Sequence, residues 1–261
     1  MYIEQTDSTN NLMKRLLNGE EQEYAACLKA DIPILYTTYQ TAGRGQTGNG
    51  WESERGKNLL LTYLLREPQV QIGEQFMLNI IAAVAAHRTI GEFLSLEQRP
   101  MLTIKWPNDI YIGSKKIAGI LVENSLSGNH VLHSITGIGI NVNQEKWEGN
   151  APNPTSIKRV TGSKADTDHV FRLFEKKLAS TLAWTHVQQR NYYRVHLFRR
   201  QGFWPYVERE VSTRPTMNAP EGTSGQFMAR IQDILPTGEL VMVDQQGLLR
   251  TYHFKQIQFV L

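Results

Sequence analysis

Residues 40–51 read Gln40-Thr41-Ala42-Gly43-Arg44-Gly45-Gln46-Thr47-Gly48-Asn49-Gly50-Trp51. Glycines 43, 45, 48 and 50 surround one fixed positive charge, Arg44, and a large aromatic closes the segment. Without a Cβ, glycine lets a backbone fold its N–H groups tightly around a ligand. Gly43 to Gly48 matches G-x-G-x-x-G, which raises a dinucleotide turn as the first reading. That turn needs a strand before the glycines, a helix opened by the last one, and an acid about 20 residues on. Residues 34–39 supply the strand, and Glu67 stands near the right distance. Residues 49–58, however, are polar and broken by glycine, and the apolar run 59–65 reads as a strand. A strand where a crossover helix should be argues against a doubly wound nucleotide fold. No G-x-x-x-x-G-K-[ST] phosphate loop occurs either. The stretch reads as a loop between two strands whose order depends on a ligand.

Upstream, Thr6-Asp7-Ser8-Thr9-Asn10 precedes Leu12, Met13, Leu16 and Leu17 at helical spacing. Asp7 or Ser8 is the expected N-cap and Gly19 the stop. Capping uses one polar side chain, and here five run together. The surplus could hydrogen-bond a neutral polar ligand, or the cluster could do no more than cap. Residues 20–30 read as helix and 32–39 as strand.

Downstream, residues 74–97 form the longest expected helix. Phe76, Met77, Ile80, Ile81, Val84, Ile90 and Phe93 give it a core face. Residues 102–106 read as a strand running into Pro107-Asn108-Asp109. Strands 110–112 and 117–123 join at Gly113-Ser114, a two-residue hairpin turn. Solvated lysines and an Asx turn account for much of Lys105, Asn108 and Asp109. Lys116 differs, because it enters an apolar strand and needs an anionic partner there. Residues 134–143 alternate. The isoleucines take one face, and Gly137, Gly139, Asn141 and Asn143 the other. Bare positions followed by amides suit a ligand lying close against the strand, or a strand weakly packed on one side.

Residues 152–161 read as a polar connection and 167–184 as an amphipathic helix capped by Thr167 or Asp168. Val170, Phe171, Phe174, Leu178 and Leu182 face inward in that helix. Residues 188–201 read as a basic, aromatic helix with a solvated face. A linker over 213–225 then leads to strands at 226–235, 239–243, 248–254 and 257–261. These make a small β-barrel or sandwich that leans on the main domain, since its own core is marginal. The expected division is residues 1–212 and 213–261.

The 261 residues allow one large domain with a small one. With 28 basic and 25 acidic residues, the net charge of +3 is too small to argue for nucleic acid. A lone cysteine, Cys27, forms no internal disulfide and no cysteine-built metal site, which fits a reducing compartment. The N-terminus is not a signal peptide, and no apolar run reaches the roughly 18 residues of a membrane span. A soluble cytoplasmic protein without a membrane partner is expected.

Together the motifs resemble biotin–protein ligases. The matching pieces are Asp7-Ser8-Thr9-Asn10, the stretch Gln40 to Trp51, and Lys105-Trp106-Pro107-Asn108-Asp109. Lys116-Ile117-Ala118-Gly119-Ile120-Leu121-Val122-Glu123 and Gly137-Ile138-Gly139-Ile140-Asn141 complete the set. They occur in the family's order and cover residues 7 to about 145. The resemblance implies an α+β fold: a mixed β-sheet flanked by helices, as in class II synthetases, with a small C-terminal SH3-like β-barrel. It implies ATP and Mg2+ as cofactors and biotin as substrate. Biotin's carboxylate would attack ATP to give biotinyl-adenylate and pyrophosphate. A lysine on the biotin carboxyl carrier domain of a biotin-dependent carboxylase would then take the biotinyl group.

By the same resemblance, Ser8, Thr9, Asn10, Gln40, Gly43, Gly137 and Gly139 meet biotin. Arg44, Gly45, Gln46 and Lys116 lie along its carboxylate and the phosphates. Trp51 stacks on adenine, Asn141 hydrogen-bonds it, and Asn108 and Asp109 sit near the phosphates, Asp109 through magnesium. Arg44, Lys116 and Asp109 carry the catalysis. Two unit charges about 4 Å apart interact by about 4 kcal/mol at an effective dielectric of 20, so a carboxylate approaching a phosphate needs fixed cations. Arg44 and Lys116 are the candidates.

Two departures stand out. Many bacterial members carry arginine two residues after Arg44, where this chain has Gln46. Some carry an N-terminal winged-helix DNA-binding domain. The ligase motif here starts at residue 7, so no sequence-specific DNA binding is expected. The alternatives are a lipoate–protein ligase and a non-catalytic biotin-binding regulator. An exposed strand edge could serve acceptor docking or a homodimer, and the sequence leaves both open.

Overall fold

The computed structural model describes residues 1–46, 48–149, 153–209 and 225–260. Its larger sheet runs β1 (Ile34–Thr37), β2 (Asn58–Arg66), β6 (His130–Asn141), β5 (Lys115–Ser127), β4 (Asp109–Ile112) and β3 (Leu102–Lys105). Every strand pair in it is antiparallel. This corrects the expectation of a mixed sheet. Tight turns join β3 to β4, β4 to β5, and β5 to β6, and a tight turn returns the chain antiparallel. Among the described residues parallel pairing occurs only as isolated bridges, such as Tyr2 to Tyr36 and Thr6 to Gln40. Gly113 has φ +55° at the turn between β4 and β5, where the sequence places a two-residue hairpin.

The period of two in β2 and β6 sets the two faces of this sheet. Leu59, Leu61, Tyr63, Ile138 and Ile140 join the main core with α2 (Phe76–Gly91) and α4 (Thr167–Leu182). Leu64 and Ile135 face the other way, onto α1 (Thr9–Leu17). The α2 helix is buried almost all round, because the sheet lies on one side and α4 and α5 (His186–Val195) on the other. It stops at Gly91, short of residue 97, since glycine is a poor helix former and the next bonds tighten to three-residue turns. At 16 residues it equals α4 in length. Asp166, one residue before the expected caps, caps α4.

Residues 20–30 give only a 3-10 turn at Ala25–Lys29, because Glu20, Glu21 and Glu23 set like charges together with no apolar stripe. The connection after residue 152 contains a short helix, α3 (Ile157–Thr161), capped by Ser156. The basic helix runs only His186–Val195, opened by a capping box of Thr185 and Gln188.

A second antiparallel sheet follows the order β10 (Leu249–Tyr252), β9 (Leu240–Asp244), β8 (Gln226–Ile234), β7 (Trp204–Glu208) and β11 (Ile257–Phe259). It has five strands where the sequence suggests four. The addition, β7, precedes the expected linker and sits between β8 and β11. That linker lies outside the described residues except for Gly225. Trp106 Nε1 donates to Gly238 O at 2.9 Å and so ties the two sheets together. No helix among the described residues is long and apolar enough to cross a membrane.

Candidate active site

On the α1 face of the large sheet lies a cavity of about 590 Å³, a volume in the ordinary range for small-ligand sites. One end is neutral and polar. Ser8, Thr9 and Asn10 open α1 and are all buried. Ser8 holds the N-cap position, but its hydroxyl makes no capping bond and lines the cavity. Asp7 does not line it. Its carboxylate accepts from Asn11 and Arg15 at 2.8 and 3.0 Å. So the polar cluster divides, with Asp7 serving the helix and residues 8–10 facing the cavity.

Gln40 Oε1 accepts from the backbone N–H and the hydroxyl of Thr9, at 2.8 and 3.0 Å. Its Nε2 remains available as a donor. Thr62, fully buried on β2, sits 2.7 Å from the Thr9 hydroxyl and 2.6 Å from Asn10 Oδ1. Sequence reading misses this residue, since one hydroxyl in an apolar strand looks like a β-former. Beneath Asn10 lies Gly137. A Cβ on Gly137 would fall 2.3 Å from Asn10 Oδ1, so only glycine fits.

The middle of the cavity is charged. The glycine stretch folds back on itself, with Gly45 N donating to Asn49 O at 2.7 Å and Trp51 N to Gly43 O at 2.9 Å. A Cβ on Gly43 would meet Trp51 O at 2.3 Å, which explains that glycine. The Arg44 guanidinium points to Glu123, 3.0 Å away, and donates to Asn11 Oδ1 at 2.7 Å. Burial pushes the Glu123 carboxyl up. The Lys14 ammonium, the Asn10 amide and Arg44 outweigh it and hold it below the usual carboxylate range.

Lys116 Nζ lies 2.7 Å from Asp109 Oδ1, the anionic partner its apolar surroundings require. A bulge between β4 and β5 makes this pairing. Tyr111 opposes Lys116 while Ile110 opposes Ala118, so Ile117 is the extra residue. Without it, Lys116 would share the core face of Ala118 and Ile120. Gln46 and Gly45 also line the cavity, and Gln46 Oε1 is buried without a partner among the described residues.

The other end is aromatic. The Trp51 ring lies flat on the two strands at Gly119 and Gly139. A Cβ on Gly139 would fall 2.4 Å from the ring, and one on Gly119 2.7 Å. Lys116 Nζ is 5.6 Å from the ring centre. Trp51 Nε1 and Asn141 Oδ1 are buried with no partner among the described residues. Asn141 Nδ2 donates to Thr155 O at 2.9 Å, so the amide is fixed with its acceptor free. Asn141 does not itself line the cavity, whereas Asn108 does and donates through Nδ2 to Ile120 O.

The small sheet closes this end with Arg209, Lys255, Gln258 and Phe259, none of which sequence reading singles out. Lys105 lies between the sheets, 4.8 Å from the Phe259 ring centre, and burial pushes its ammonium pKa down. Among the described residues no three His, Cys, Asp or Glu side chains group as a metal cage.

Solved structures share this architecture. A biotin protein ligase from Aquifex aeolicus in complex with biotin and ATP matches with a TM-score of 0.70 and 20% identity, covering 99% of this chain and 97% of that one. One from Leishmania major in complex with biotinyl-5-AMP matches at 0.63 and 18%, covering 97% of each. The fold is thus that of biotin protein ligases. The chain belongs to the biotin/lipoate A/B protein ligase family, whose model matches residues 2–141.

Among curated relatives, the bifunctional ligase/repressor BirA of Bacillus spizizenii is 30% identical over 97% of this chain and 71% of its own length. Its Bacillus subtilis counterpart is 36% identical over 68% of this chain and 53% of its own. The biotin–[acetyl-CoA-carboxylase] ligase of Paracoccus denitrificans is 33% identical over 68% and 70%. This chain therefore spans about half to seven-tenths of the length of these relatives.

Proposed function

We propose that this protein activates biotin with ATP and transfers it to a lysine of a carrier domain. The observation that carries the reading is the order of environments along one cavity. A neutral hydrogen-bonding end at Ser8, Thr9, Asn10 and Gln40 gives way to Arg44 and Lys116, and then to the Trp51 shelf. A neutral bicyclic urea, a carboxylate, a phosphate and a purine require those environments in that order.

Biotin enters with its ring against residues 8–10 and Gly137, and its carboxylate toward Arg44 and Lys116. A carboxylate oxygen attacks the α-phosphorus of ATP, forming the acyl–phosphate bond while the bond to pyrophosphate breaks. The two cations offset the repulsion between carboxylate and phosphate and the charge that develops in transit. In the second step an acceptor lysine amine attacks the acyl carbon. An amide forms, AMP leaves, and the amine's proton passes to solvent. No enzyme nucleophile takes part.

Adenine rests on the Trp51 ring. Magnesium fits as a substrate-borne ion. Asp109, the carboxylate on the cavity wall, would be the residue to hold it, and the ion would supply neutralisation of phosphate charge there.

Within this proposal residues 1–212 do the chemistry. Residues 213–261 form an SH3-like unit completed by β7. Incubating the protein with ATP, Mg2+ and either biotin or lipoate tests the reading. Biotin-dependent pyrophosphate release and labelling of a carrier domain are expected, and turnover with lipoate alone would overturn it.

A further inference from the structure

Glu123 lies behind the cavity wall, and no step of the chemistry above uses it. It projects from β5, and two segments that do line the cavity converge on it. Its Oε2 accepts from Asn10 Nδ2 at 2.9 Å and its Oε1 from Arg44 Nη2 at 3.0 Å. Oε1 also accepts from Lys14 Nζ at 2.7 Å. The carboxylate is only 22% exposed, although Arg44 and Lys14 reach it from more open positions.

Asn10 is consequently held from two sides, by Thr62 at its oxygen and Glu123 at its nitrogen. That pair of contacts assigns the amide orientation. Arg44 is held through both terminal nitrogens, by Glu123 and Asn11, and its Nε–H bonds to none of the described residues. The same carboxylate therefore joins the neutral end of the cavity to its cationic middle. Lys14 and Arg44 together carry two positive charges, and Glu123 leaves a net single charge there.

We propose that Glu123 is a positioning residue that fixes Asn10 and Arg44 in a common frame, so that the ring end and the carboxylate end of one ligand are gripped at a set spacing. This rests on the biotin reading above. Its effect falls on capture of the acid substrate. It does not fall on the nucleotide, which meets Trp51 at the far end. A ligand that binds both fixed groups is rewarded because neither has to be ordered on binding.

The test is steady-state pyrophosphate release by Glu123→Gln, an isostere that keeps the shape and removes the charge. The Michaelis constant for biotin should rise by about tenfold, the loss of one charge-assisted bond. The constant for ATP should change by less than about threefold, and kcat should fall by less than the biotin constant rises, since only part of Arg44's stabilisation of the developing charge is lost.

A double-mutant cycle adds a readout that general destabilisation would not give. In an Arg44→Gln background the Glu123→Gln effect on biotin should shrink to the share that runs through Asn10, because contacting residues couple. Equal biotin constants in wild type and Glu123→Gln, or an undiminished effect in the Arg44→Gln background, would overturn the proposal. Should Glu123→Gln not fold, Glu123→Asp keeps the charge but is one methylene too short to bridge Asn10 and Arg44 together, and an unchanged biotin constant there would likewise overturn it. Wild-type protein without biotin-dependent turnover would instead refute the underlying ligase reading.

Discussion

Lys116 Nζ and Asp109 Oδ1 lie 2.7 Å apart across the bulged hairpin of β4 and β5. The carboxylate holds the ammonium at the cavity wall, and in the proposed reaction a phosphate would compete for it. Lys116→Gln should lower the rate of biotinyl-adenylate formation by about 10²–10³-fold, the usual loss when a preorganised charge-stabilising donor is removed. Burst-phase pyrophosphate release measures it, and a rate within threefold of wild type would remove Lys116 from the chemistry.

Gly137 and Gly139 should separate the two substrates. A methyl group at 137 would drive into Asn10, which Thr62 and Glu123 hold in place. One at 139 would drive into the Trp51 ring. Gly137→Ala should therefore weaken biotin and spare ATP, and Gly139→Ala, expected at biotin from the resemblance but lying under the Trp51 ring, should do the reverse, each by about 5- to 150-fold given overpacking costs of about 1–3 kcal/mol. Calorimetric titration of each variant with each ligand decides. The same loss for both ligands in either variant would contradict the placement.

Gln46 lines the cavity in the glycine loop, with its Oε1 unpartnered among the described residues. An arginine there would add a second loop cation beside the phosphoryl group. Gln46→Arg should release biotinyl-adenylate to solvent more slowly than the native protein. Filtration of single-turnover mixtures would show this, and equal release would end the idea.

His87, buried in α2, has Nε2 3.1 Å from Leu102 O and Nδ1 3.0 Å from the Tyr192 hydroxyl. Burial, with His196 nearby, pulls its pKa from 6.5 to about 3. Below pH 6.5 the unfolded chain takes up a proton that the native ring refuses. Stability from this group is complete above that pH and is lost as pH falls toward 3, by up to roughly 1.4 kcal/mol per pH unit. Urea midpoints should fall more steeply between pH 6.5 and 4.5 for wild type than for His87→Phe. Parallel profiles would exclude His87 as the cause.

What the sequence reveals is what depends on neighbours along the chain. The strand after the glycine loop shows in the apolar run that became β2, and the hairpin at Gly113 in its turn residues. The bare face of β6 shows in its alternation. What stays hidden depends on partners distant in sequence. Strand β7 carries a proline and is held by β8 and β11, the latter some fifty residues on. The bulge that turns Lys116 toward Asp109 is a matter of register between strands, which composition does not encode. Glu123 reads as the polar end of an apolar strand until α1 and the glycine loop are brought to it. Arg209 and Lys255 enter the cavity only because the small sheet docks against the large one.

That docking couples two equilibria. The cavity takes walls from both sheets, and Trp106 bonded to Gly238 is one bolt between them. A molecule spanning both walls binds the docked form alone, so its free energy is added to the closure of the sheets. At a hundredfold excess over its dissociation constant that addition is about 2.7 kcal/mol. A ligand bound across both walls would make any separation of β7–β11 rarer, and the unliganded molecule would be the one more open to proteolysis.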